Sequence, residues 1–318
     1  MGLVDDEGGQ PRIENPALGE IAVALRKACC ARIGGTRDYR MAITTDSVLR
    51  EGLRAHGDEF RLTLDPRLSG LPDTAHGGSV LAVFHALAHA VGSQQVSGIY
   101  RKRVPLGTPL RLTVVSAKDN ITCALLDDAG GLLVDGGVRG ANDAPLTATP
   151  AGDGGDPLPV TSTCLACGVD NALGLRAQLS FDDERVWTRW TPRETAARPD
   201  GSLAPIALTT LLDEAAFWLG ALASGESGMT TDLAVTIHRE LSFGEPVVVA
   251  GSRSRTRARD DGRYWETEVT AADTSGEIVA SAQIVFVAVR GAARRLVSGF
   301  LSRNSPAVLR RIFPAYVS

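Results

Sequence analysis

The chain has 318 residues, of which 44% are apolar and 22% charged, with a formal net charge of −4. That length suits two domains, the composition is ordinary for a globular chain, and the charge balance gives no reason to expect a nucleic-acid partner. The five cysteines are adjacent at Cys29 and Cys30, single at Cys123 and a CxxC at Cys164 and Cys167, which excludes a secreted disulfide framework and predicts a reduced, cytoplasmic protein.

The chain opens on MGLVDDEGGQPR, which is acidic and polar and lacks the basic start and apolar stretch of a signal peptide. Residues 17–33 predict an amphipathic helix, with Gly-Gly at its end. Residues 77–92, GGSVLAVFHALAHAVG, predict a helix that is apolar on most faces and must therefore be buried. Residues 99–115 predict a strand with a turn at Gly107, and 123–138, CALLDDAGGLLVDGGV, a hairpin around an Asp-and-Gly turn. Residues 140–162 are rich in Gly and Pro without apolar periodicity, and read as a linker. The same order of elements then returns: a helix over 206–222, a strand with a turn at Gly244 over 232–252, and a hairpin over 264–289. Each turn glycine precedes a proline by two residues, Pro109 and Pro246. No apolar run reaches the ~20 residues of a membrane span, so no membrane partner is expected.

A helix apolar all round, repeated with strands that turn back on themselves, predicts an α+β fold in two copies. In each copy one long helix is wrapped by an antiparallel sheet. The divisions are 1–57 as an N-terminal helical extension, 58–140 as half one, 141–162 as linker, 163–290 as half two and 291–318 as a basic tail. The tail carries arginines at 290, 294, 295, 303, 310 and 311 among apolar residues at helical spacing. They suit either a packed helix with a solvated basic face or a contact with phosphates or an acidic carrier.

His76, Gly77 and Gly78 open the first helix. A helix start offers unpaired N–H groups and positive dipole character, and glycine lets a ligand come close. Nine residues on, where an acid would serve such a start, stands His85.

Both halves resemble hotdog-fold acyl-CoA thioesterases, in particular the phenylacetyl-CoA thioesterase-like group. The resemblance lies in HGG (76–78), LLDEA (211–215), CLACGVDNALGL (164–175) and the turns RVPLGTP and ELSFGEP, and it covers roughly residues 58–139 and 164–289. It implies two hotdog units paired as an internal pseudo-dimer, with a helix start from one unit facing an acid from the other. Aligning the two helices sets His76 against Ala204, Gly77 against Pro205 and His85 against Asp213. Half one keeps HGG without the acid; half two keeps the acid without HGG. Proline has no N–H to offer, so one working site per chain is expected.

In the site so implied, the Gly77 N–H stabilises an oxyanion, His76 orients or polarises the thioester, and Asp213 acts as general base or nucleophile. Gly78, Ser79, Thr230 and Thr231 line the substrate. The substrate is an acyl-CoA or an acyl-carrier protein, CoA enters only as part of it, and neither metal nor cofactor is expected. A homo-oligomer is possible on the resemblance alone. Other readings stay open. Asp213 could be partly exposed or paired with an arginine such as Arg189. Glu214 reads as solvated or structural, and His85 and His89 as core histidines rather than metal ligands. Cys164 and Cys167 read as structural thiols rather than half a zinc site, and Asn171 and Gly174 as turn formers. Phe84, Phe217, Trp218 and Leu222 hint at an apolar pocket. The rival activities are dehydration or hydration of an acyl thioester on the same fold, and non-catalytic acyl-CoA binding.

Overall fold

The computed structural model describes residues 43–56, 59–88, 92–117, 120–141 and 146–317. The helix expected over 17–33, Cys29, Cys30 and His89 lie outside the described residues. The described residues form one compact body.

Half one begins with helix α1 (Thr45–Gly52) and a hairpin, β1 (Leu53–His56) and β2 (Glu59–Thr63). A capping box starts α1: Thr44 Oγ1 accepts from the Ser47 N–H and Ser47 Oγ accepts from the Thr44 N–H. The core helix α2 (Gly77–Ala86) follows, then β3 (Gln94–Tyr100), β4 (Pro109–Ala117), β5 (Asn120–Leu126) and β6 (Leu132–Gly140). Helix α2 is shorter than its sequence pattern predicts, and residues 99–115 span the end of β3, a loop and most of β4.

Half two repeats the plan. Part of the expected linker is built into the sheet edge as β7 (Asp156–Pro157), which pairs with β8 (Ser180–Phe181). Strand β9 (Arg185–Trp190), core helix α3 (Pro205–Ser224) and β10 (Gly228–Ile237) come next. They are followed by β11 (Val247–Ser252), β12 (Arg257–Ala258), β13 (Tyr264–Ala272) and β14 (Ile278–Ala288). The tail adds α4 (Ala292–Arg295), a wide turn over Leu296–Phe300 and α5 (Pro306–Ile312).

The strands form one antiparallel sheet in the order β1-β2-β4-β5-β6-β3-β10-β14-β13-β11-β9-β8-β7, with β12 beside β13. Each half places the strand after its core helix, β3 or β10, at the middle of the sheet. There the two pair antiparallel, with Val96 opposite Val235 and Gly98 opposite Leu233. The halves are therefore joined by a backbone ladder as regular as those within each half. The turn chemistry matches the sequence reading. Gly107 and Gly244 both have positive φ, and Asp127 and Asp273 close their hairpins by accepting from the Gly131 and Glu277 N–H groups.

The sheet wraps both helices. All the residues of α2 from Gly78 to Phe84 are buried. By length and composition α3 could cross a membrane, yet 83% of its most apolar window is buried inside the protein. The helices meet backbone to backbone. A Cβ on Gly78 would sit 2.4 Å from the Thr209 carbonyl oxygen, and Thr209 Oγ1 donates to the Gly78 carbonyl at 2.8 Å. Only glycine permits that approach, and it carries the start of α2 onto the flank of α3.

Candidate active site

The loop before α2 sets the position of His76. Asp65 caps the short turn over Pro66–Leu68, Ser69 bridges to Ala75, and the His76 N–H donates to the Leu68 carbonyl at 2.9 Å. His76 thus becomes the N-cap of α2 in an extended conformation. Half two supplies a second loop. Asn171 Nδ2 donates to the Arg67 and Thr163 carbonyls, the Leu165 N–H to the Ser69 carbonyl and Ser69 Oγ to the Thr163 carbonyl. Asn171 therefore does more than shape a turn. It clamps the CLACG loop onto the HGG loop and brings Cys164 beside His76.

Asp213 faces the same point from α3, 5% exposed. Its Oδ2 lies 3.1 Å from both the Gly78 N–H nitrogen and His76 Nδ1, and its Oδ1 accepts from Thr230 Oγ1 at 2.6 Å. The carboxylate does not stand across a gap from the helix start; it docks on it. A Cβ on Gly77 would meet Oδ2 at 2.6 Å. Arg189 is not its partner, being engaged with Gly152 and Asp153.

The reading of Glu214 as solvated is corrected. It is 7% exposed; Oε1 accepts from Trp218 Nε1 at 3.0 Å and Oε2 lies 3.3 Å from His76 Nε2 and 3.8 Å from Cys164 Sγ. Successive helix residues point about 100° apart. The His76 ring, lying between them, has one nitrogen for each carboxylate. Burial depresses the basicity of His76, but its bonds to Asp213, Cys164 and Glu214 outweigh that and raise its pKa well above the usual value. An imidazolium donates from both nitrogens, which leaves Asp213 Oδ2 as the acceptor for the Gly78 N–H. The neighbouring thiols split: the bond from Cys167 draws Cys164 down to about 7 against burial, and the same pairing, with burial, pushes Cys167 well up.

Tyr100 also belongs to the site. Its hydroxyl donates to the Gly77 carbonyl at 2.6 Å, so the Gly77–Gly78 peptide is held at both ends, its carbonyl by Tyr100 and its N–H by Asp213. Burial, with the Asp213 charge, lifts the Tyr100 pKa well above its ordinary value. Among the described residues the Gly77 N–H donates to no protein acceptor.

These groups open on a cavity of about 310 Å³. His76, Gly77, Asp213, Thr230 and Thr231 line it, as do Phe217 and Trp218. Gly78 and Ser79 do not: Gly78 is spent on the helix contact and Asp213, and Ser79 is fully buried with its hydroxyl donating to the His76 carbonyl at 2.7 Å. Ser79 is therefore a helix-start residue rather than a substrate contact. Phe84 is fully buried in the core, and Leu222 does not reach the cavity. The Thr231 hydroxyl is bonded to the Val285 carbonyl, at the bulge where β10 shifts register against β14.

The related position in half two is plainer. Ala204 caps α3 without a side-chain bond, and Pro205 follows it. His85 stands where the acid would be. Burial, helped by Arg198 and Arg50, lowers its pKa to about 4, so it is neutral near pH 7.

No family model and no curated relative matches the chain. Solved structures do. Acyl-CoA thioesterase II TesB2 from Mycobacterium marinum matches with a TM-score of 0.55 at 14% identity, over 77% of this chain and 98% of that one. The tesB protein of Mycobacterium avium subs paratuberculosis gives 0.56 at 15%, over 77% and 98%. A hot dog protein of unknown function from Alicyclobacillus acidocaldarius gives 0.50 at 12%, again over 77% and 98%. At such identities the likeness is one of fold: the chain is a double hotdog.

Proposed function

We propose that this chain hydrolyses an acyl thioester, an acyl-CoA or an acyl-carrier protein, at one composite site between its two halves. The observation that carries the reading is the Asp213 carboxylate docked at the start of α2 beside Gly77, whose N–H has no protein acceptor among the described residues, with both residues lining one cavity. The structural likeness to an acyl-CoA thioesterase supports it at the level of the fold.

The thioester oxygen accepts from the Gly77 N–H, a contribution of roughly 3–4 kcal/mol for one oxyanion donor. Asp213 takes a proton from water as it attacks the carbonyl carbon; collapse of the tetrahedral intermediate expels the thiolate, which is protonated to free thiol. Alternatively an Asp213 oxygen attacks the carbonyl carbon and the C–S bond breaks, releasing the thiolate; water then opens the mixed anhydride to the product acid and the free Asp213 carboxylate, and a proton from that water ends on the thiolate. Thr230 and the His76 Nδ1–H hold the carboxylate in either case. The apolar wall, with Phe217, Trp218, Met229 and Leu301, takes the acyl chain, and its aromatic residues favour including an aromatic acyl group such as phenylacetyl. Arg103 and Arg263 line the same cavity and suit the phosphates of CoA. The tail arginines suit them less, because Arg303 and Arg311 pair with Asp170 and Asp156. The unbridged thiols of Cys123, Cys164 and Cys167 support a reducing, cytoplasmic setting.

The test is a panel of acyl-CoAs, phenylacetyl-CoA included, followed by free-thiol release and product mass. Free CoA with the carboxylic acid is expected, and Asp213→Asn should lose about 10²–10⁴-fold in kcat with its fold intact. An enoyl or hydroxyacyl product with CoA still attached would replace hydrolysis by dehydration or hydration, and binding without turnover would leave an acyl-CoA-binding protein. A single turnover in ¹⁸O-labelled water that labels Asp213 establishes the anhydride route with water attacking the Asp213 carboxyl carbon, since direct hydrolysis puts the label only in the product acid.

A further inference from the structure

In the sequence the CxxC of Cys164 and Cys167 has no second ligand pair nearby and is at most half a metal site. The fold brings up the other half from two distant elements. The His76 ring, the Cys164 thiol and the Glu214 carboxylate each offer a ligand atom within 4.8 Å of the others, and all three residues are buried. Cys167 lies within interaction range of both Cys164 and Glu214.

We propose that His76 Nε2, Cys164 Sγ, Cys167 Sγ and Glu214 Oε2 bind one zinc-class divalent ion. The spacing fits. His76 Nε2 and Glu214 Oε2 are 3.3 Å apart, and Cys164 Sγ and Glu214 Oε2 3.8 Å. A tetrahedron with metal bonds of ~2.0–2.3 Å has edges of roughly 3.3–3.8 Å. The CxxC loop is shaped to present its sulfurs. The Ala166 N–H donates to Cys164 Sγ at 3.3 Å and the Gly168 N–H to the Cys164 carbonyl at 2.9 Å. A Cβ on Gly168 would lie 2.2 Å from that carbonyl oxygen, so the turn requires glycine.

The supporting groups fit as well. A metal-bound histidine ordinarily donates its other ring N–H to a carboxylate, and His76 Nδ1 is 3.1 Å from Asp213 Oδ2. The second oxygen of Glu214 is held by Trp218 Nε1. Two sulfurs, one imidazole and one carboxylate select a borderline-soft ion and disfavour magnesium or calcium. Binding replaces the proton on Nε2 and those on the thiols. Four protein ligands leave no open position, so the ion serves structure: it fixes the His76 ring and, through Nδ1, the orientation of Asp213. The proposal stands whatever substrate the cavity takes.

The test uses the full chain purified under reducing conditions without chelator. Elemental analysis should find about one zinc per chain, and the folded Cys167→Ser and Glu214→Gln variants well under half that content. Cobalt added to the chelator-stripped chain should give thiolate-to-cobalt charge-transfer absorption and the intense visible bands of a four-coordinate site. A folded native chain that holds less than about a tenth of an equivalent and shows no cobalt bands overturns the proposal. So does a Cys164–Cys167 disulfide in the chain as purified.

Discussion

Asp213 satisfies three demands at once. It accepts from the Gly78 N–H at the start of another helix, it takes the Thr230 hydroxyl, and it keeps an edge on the cavity. Its dependence on a bare glycine is direct. A methyl at Gly77 would lie 2.6 Å from Oδ2, so Gly77→Ala should push the carboxylate off the helix start. A displacement of that kind costs about 10²-fold in kcat/KM, while losing the capping bond costs about 1 kcal/mol of stability. Steady-state kinetics beside a denaturant melt checks both; unchanged kcat/KM would detach Asp213 from the chemistry. His85 predicts a different signature. Its folded pKa of about 4 lies below the unfolded value near 6.5. Between those values the unfolded chain binds the proton and the folded one does not, so stability falls as pH drops through that window. His85→Gln should flatten this acid slope in melts between pH 4 and 6.5 and leave turnover at pH 7 nearly unchanged. A large loss of turnover would move the chemistry to the other cleft.

At the scale of elements, the register of the two core helices was legible. His76 and Ala204 are equivalent N-caps, each with its N–H bonded at 2.9 Å to a carbonyl eight residues back, Leu68 or Ala196. Asp73 and Gly201, matched by the same alignment, both have positive φ. The complementary loss of HGG and acid needed nothing more than that register. Glu214 and Tyr100 were not legible, because each owes its place to a neighbour the local pattern does not name. Glu214 faces a loop that Asn171 clamps in place from about 40 residues away in sequence, and Tyr100 reaches α2 from a strand whose alternation says only which side is buried. The tail was half legible. Its helices pack, with Leu309, Ile312 and Phe313 buried, but Leu296 and Leu301 also wall the cavity. Leu301→Ala should therefore cost about 2–5 kcal/mol and shift preference toward bulkier acyl chains. A melt and an acyl-CoA series read these separately. Lost stability with unchanged acyl preference would make the tail a packing element alone.

At the scale of the whole molecule, the defining feature is the β3–β10 pairing, which makes one sheet of two halves. Joining the halves in one chain keeps each half's partner present in a ratio of one to one, so a single cleft can draw its groups from both. It also sets an order of events in time. The bond from the Gly78 N–H to Asp213 spans 135 residues of sequence, and the approach of His76 to Glu214 spans 138. Contacts of such separation form slowly, since closing a long loop must precede any gain from the contacts it brings together. During synthesis the site cannot be completed until α3 and β10 have emerged, and on refolding each half can collapse before the full site exists. On the proposed function, recovery of thioester turnover after dilution from denaturant should therefore lag behind the early recovery of far-ultraviolet dichroism. Simultaneous recovery of both signals would mean that the seam and the halves fold as one cooperative unit.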